Sequence, residues 1–120
     1  MIRLSPWSWF GLGALCTLAA CGGAVVPQEQ LTSAKAATSG AEVGGAGEDP
    51  QAALHLKLAK EGIAKAEKLI EDGDNEEAER QLWRAQADAE LALALAKETK
   101  SKAEAQEASE QLQRLQKQSK

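Results

Sequence analysis

Two runs of small apolar residues, each stepping by three and four, decide what this chain can fold into. In "LHLKLAKEGIAKAEKLI" the positions Leu56, Ala59, Ile63, Ala66 and Ile70 advance by 3, 4, 3 and 4. After a polar break, Ala78, Leu82, Ala85, Ala89, Ala92 and Ala96 advance by 4, 3, 4, 3 and 4. That spacing places each set on one side of a helix, whereas a strand would alternate. Two helices with one apolar stripe each bury it against a neighbour. The fold class expected is all-α, built on an Ala-rich antiparallel helical hairpin. Alanine favours helix and lets backbones approach, but each residue buries little area, so stability should be moderate. Leu69 widens the first stripe, and Trp83, Leu91, Leu93 and Leu95 widen the second. Gly62 lies beside Ile63, where either close approach of a partner helix or simple tolerance accounts for it.

The breaks between the runs carry their own chemistry. In "EDP", residues 48–50, Asp49 suits the N-cap and Pro50 the first helical position, where its missing N–H is no loss. In "IEDGDNEEA", residues 70–78, Gly73 suits a left-handed helix end and Asp74 the next cap, with Glu77 completing an Asp-x-x-Glu box. So short a connection makes the two helices antiparallel neighbours. Upstream, "LTSAKAATSG" supports a short helix over 28–39 ended by Gly40, followed by a flexible linker with four glycines in residues 40–47. This short helix gives room for a three-helix bundle. Downstream, the last helix is expected to run on from Asn75 to near Lys117 and to overhang its partner. A second apolar phase there, at Ala105, Ala108, Leu112 and Leu115, leaves it solvated, paired with another copy as a coiled coil, or docked on another protein.

The N-terminus reads as an address. Arg3 is followed by an apolar stretch from Trp7 to Ala20, the architecture of a secretory signal. It ends in "LAAC", residues 18–21, which resembles the lipobox of bacterial lipoproteins: Leu18, the small residues Ala19 and Ala20, then Cys21. The thiol is the nucleophile in this stretch that takes a diacylglyceryl group as a thioether. Cleavage before Cys21 frees an amine for an N-acyl chain of the palmitate class, and two or three chains anchor stably. Competing readings are an uncleaved membrane helix over 7–26, ordinary signal cleavage, and a Cys16–Cys21 disulfide. The chain thus divides into a signal peptide (1–20), a lipidated tether (21–30), a short helix with a Gly-rich linker (31–48) and a helical hairpin with an extended last helix (49–120).

Little in the sequence carries catalytic chemistry. A net charge of −4 without a basic stripe argues against nucleic acid. His55 is the single histidine and has no partner at metal-ligand spacing. The acidic cluster Glu71, Asp72, Asp74, Glu76 and Glu77 lacks the positions of a calcium loop and is explained by helix ends. "GGAG" at 44–47 lacks the lysine of a P-loop. No enzyme, metal, cofactor or small-molecule substrate is expected.

Residues 58–96, with "LAAC", "TSAKAATSGA", Pro50 and "GDNEEA" at 73–78, resemble the bacterial lipoproteins of the domain-of-unknown-function family numbered 4398. The resemblance covers roughly residues 25–105. It departs from the family pattern at Asn75, where an aromatic often follows Gly-Asp. It implies a lipid-anchored helical fold and no established activity. The expectation is a periplasm-facing, lipid-anchored structural or adaptor module of the cell envelope, at the outer membrane because Gly22 rather than aspartate follows Cys21. The inner membrane and the cell surface stay open as locations. Its partners would be the membrane, an envelope protein or a second copy through the last helix. The alternative is a tetratricopeptide-like module binding an envelope protein or peptide, since "GDNEEAERQLWRAQ" resembles part of such a repeat, although no period of roughly 34 residues recurs.

Overall fold

The computed structural model describes residues 24–119. Within them the chain forms α1 (Gln28–Val43), α2 (Pro50–Glu71) and α3 (Asn75–Gln118). Asp49 starts α2 as its place before Pro50 predicts: Oδ1 accepts from the backbone N–H of Gln51 at 3.0 Å and of Ala52 at 2.8 Å. The helix ends where Gly73 takes φ +86°, a conformation that costs glycine nothing. The Gly73 N–H returns to the Ile70 carbonyl at 3.1 Å and the Asp74 N–H to the Leu69 carbonyl at 2.8 Å. That pair is a Schellman motif, and it turns the chain directly into α3.

The Asp74–Glu77 capping box does not form. Asp74 supplies its backbone N–H to the end of α2 and is held at ψ 56°, and its side chain makes no cap bond. Asp49, by contrast, has the extended ψ of 129° that aims a cap side chain at the helix. Glu77 reaches forward to Arg80 and Gln81.

The first helix also corrects the expectation. It runs through Gly40 to Val43, and residues 44–49 close a hydrogen-bonded turn where a flexible linker is expected. A second Schellman pair sits here, from the Gly45 N–H to the Glu42 carbonyl at 3.1 Å and from the Ala46 N–H to the Ala41 carbonyl at 3.0 Å. Gly45, at φ +86°, is the residue that reverses the chain. Ala41 and Ala46 are then buried together in one cluster with Ala52, Leu56, Ala92 and Ala96.

The result is a three-helix bundle in which α1 runs parallel to α3 and antiparallel to α2. Its second cluster joins Ala34 of α1, Ile63 and Ala66 of α2, and Ala78, Leu82 and Ala85 of α3. Ala59 and Ala89 are buried as well. Every residue stepping by three and four in the two stripes is therefore in the core except Ile70, which is half-buried at its edge. Of the residues expected to widen the stripes, Leu69, Leu93 and Leu95 are half-buried, while Trp83 and Leu91 are exposed, because their positions fall on the far side of α3. The α2–α3 interface is the largest, α1 leans mainly on α3, and α1 touches α2 least. Lys35–Glu67, at 2.6 Å, and Lys60–Glu42 tie α1 to α2 across that thinner contact. Exposed pairs of this kind contribute at most about 1 kcal/mol each.

Helix α3 spans 44 residues, or about 66 Å, twice the length of α2. Residues 97–119 are exposed throughout; Thr99 still reaches Asp49 at the α1–α2 turn, and past Ala103 the helix stands clear of the bundle.

Candidate anchor and interaction surfaces

The chain enters the bundle beside the α2–α3 turn. Asn75, the first residue of α3, donates from Nδ2 to the Ala24 carbonyl at 2.7 Å. Pro27 is buried behind this contact, while Val25 and Val26 are exposed. The same end carries Glu71, Asp72, Asp74, Glu76 and Glu77. Cys21, the recognition residues Leu18, Ala19 and Ala20, and Cys16 lie outside the described residues, as does most of the 7–26 segment. Among the described residues, no helix is long and apolar enough to cross a membrane.

The acidic end is organised by hydrogen bonds to neighbouring side chains. Glu77 accepts from Arg80 at 2.9 and 2.7 Å and from Gln81 at 3.1 Å. The Gln81 and Arg80 hydrogen bonds hold its carboxyl below the ordinary range. Among the described residues, no group of three or more acidic, histidine or cysteine side chains could hold a metal ion.

At the opposite end Asp49 joins the turn to α3. Its Oδ2 accepts from Thr99 Oγ1 at 3.1 Å while Oδ1 caps α2. The Ala52 backbone bond first, then Thr99 and Gln51, lower its pKa. A carboxyl with a depressed folded pKa contributes stability above its unfolded pKa and loses it as pH falls through the folded value. Thermal unfolding should therefore show a plateau above about pH 5 and a decline as pH falls through about 4 and below. Asp49→Asn keeps a cap acceptor but removes the titration. Circular-dichroism melts of that variant should show a shallower acid limb; an unchanged limb would remove Asp49 from the account.

Between α2 and α3, His55 Nδ1 lies 2.9 Å from Asp88 Oδ1, with both side chains about 30% exposed. The sequence treats His55 as an isolated residue. Its partner is 33 positions away and becomes visible only once the two helices are set in register. The Asn75–Ala24 and Thr99–Asp49 contacts were hidden in the same way. Along this interface a shallow hollow of about 230 Å³ is lined by Leu58, Gly62, Lys65, Arg84 and Asp88. A larger open hollow of about 560 Å³ lies where the α1–α2 turn meets α3, between Val43, Glu48, Lys100 and Ala103.

The most extended surface is the back of α3. Trp83 is 56% exposed, Leu91 42%, Leu112 61% and Leu115 62%. These are large apolar side chains on a helix whose opposite side already fills the core.

No curated protein and no solved structure matches this chain. The model of the family described as a domain of unknown function (DUF4398) matches residues 29–118, nearly all of the three helices and both turns, and the chain belongs to that family.

Proposed function

We propose that this protein is a lipid-anchored, periplasm-facing structural or adaptor module of the bacterial cell envelope, without catalytic activity. The observation that carries the reading is "LAAC" at 18–21, three residues before a bundle whose entry point is held by Asn75. Acyl chains on Cys21 supply the membrane attachment, and the outer membrane is the location favoured by Gly22. Two hydrogen-bonded turns and an alanine core make a slender, fixed support, which suits holding a surface at a set place. The tetratricopeptide-like alternative gains nothing from the geometry, because a single 22-residue helix paired with one of 44 residues is not a stack of repeats.

Intact mass of the membrane-extracted protein, beside a Cys21→Ser variant, tests this reading. The expected result is loss of residues 1–20 plus acyl mass, with both changes absent from the variant, which keeps residues 1–20. An intact, unacylated N-terminus would sink it and favour a membrane helix over 7–26.

A further inference from the structure

The back of α3 carries a second heptad seam that the bundle does not use. Leu91, Ala94, Ala105, Ala108, Leu112 and Leu115 share one alternation of three and four, and all six are exposed. At 3.6 residues per turn this seam lies opposite the buried one. Beyond the bundle the buried line becomes charged, at Glu107, Glu110, Arg114 and Lys117, so the overhang keeps its apolar side only at the back.

We propose that this face pairs with the same face of a second copy, as a parallel, in-register two-helix coil between chains anchored in one membrane leaflet. The proposal rests on the lipid-anchored reading above. Its orientation comes from the entry point: Cys21 is three residues from Ala24, so at most about 11 Å of chain separates the lipid from the α2–α3 end of the bundle. Helix α3 starts at that end in every copy, which sets neighbouring seams parallel and at one height.

Area decides where pairing occurs. From Ala87 to Leu115 the stripe is about 42 Å long and roughly 10 Å wide, giving about 840 Å² over both partners. That is just under the roughly 1,000 Å² a free-standing interface needs. The isolated chain is therefore monomeric, and confinement to a leaflet supplies the effective concentration that contact area does not. Glu98 and Ser101 form a polar layer within the seam, and Lys102 holds Glu98 at 2.6 Å in its own chain. Such a layer lowers stability and disfavours slipped registers. Lys97 and Lys102 meet as like charges across the coil, which concentrates pairing at Leu112 and Leu115, flanked by the uncharged Gln111 and Gln116.

Oxidative cross-linking of Leu115→Cys and Gln113→Cys chains in membranes, with acylation checked by mass, tests the pairing. Leu115→Cys should give a disulfide-linked dimer in at least about 10-fold excess over Gln113→Cys, whose side chain lies off the seam. A Leu115→Cys chain of residues 22–120, which lacks the lipid site and both native cysteines, should remain monomeric in solution. An acylated chain that fails to cross-link at 115, or that cross-links equally at 113, overturns the pairing alone. Equal dimer from the soluble chain overturns the role of the membrane. A chain without acyl mass overturns the anchor and the pairing together.

Discussion

Replacing Leu82 with alanine is expected to lower stability by about 2–5 kcal/mol, enough to unfold much of the population at moderate temperature. Leu82 is the largest fully buried side chain and sits where all three helices meet. Its neighbours Ala34, Ala66, Ala78 and Ala85 are too short to swing into the space it leaves, while Ile63, Leu31, Leu69 and Ile70 in and around the same cluster can close part of it. The cost within that range depends on how far they do so. In urea the midpoint should fall, and the melting temperature should drop by at least about 8 °C. Leu112→Ala is the control: that residue is 61% exposed in the overhang, and its loss should move stability by no more than about 0.5 kcal/mol. Equal effects from the two substitutions would mean that the cluster around Leu82 is not the core.

Gly62 gives the second large effect, and its sign depends on the replacement. A Cβ at this position would lie 3.0 Å from the Ala85 Cβ, 3.6 Å from the Ala85 Cα and 3.7 Å from the Gln81 carbonyl oxygen. Gly62→Ala gains about 1 kcal/mol of helix propensity but presses α2 against α3 by a few tenths of an ångström. These oppose each other, so the variant should stay close to the parent. Gly62→Leu has no such balance: its branch must push the two helices apart, at a cost of about 1–3 kcal/mol or more. The difference in melting temperature between the two variants reads the closeness of the helices directly. Equal melting temperatures would show that the interface has slack.

Much of this fold is legible in the residues, for a local reason. The α2–α3 hairpin follows from stripes that repeat every three and four positions and from Asp49, Pro50 and Gly73, whose effects act within a few residues. Gly62 could be read either as close approach or as tolerance, and the 3.0 Å spacing decides for close approach. The end of α1 was not legible in that way. Gly40, Gly44, Gly45 and Gly47 are all suited to stopping a helix, and the choice is made by distant packing: Ala41 and Ala46 must both reach the cluster around Leu56. Gly44 also lies where any side chain would strike Leu93. The Asp74 cap failed because a three-residue connection asks one backbone N–H to finish α2, which fixes a ψ unsuited to starting α3. Of the candidate surfaces, the second phase of the overhang was readable as far as Ala105–Leu115. Its continuation to Leu91 emerged only once the other side of α3 was seen to be buried.

The two stripes of α3 face opposite ways, and beyond Lys97 only the outer one continues, so that Leu82 and Leu115 are separated by about 50 Å. Substitutions at Leu82 and in the overhang share no neighbours, so their free energies should add when combined. A chain built this way can vary its outer stripe freely without drawing on the margin that keeps it folded, and can reinforce its inner stripe without altering what it presents.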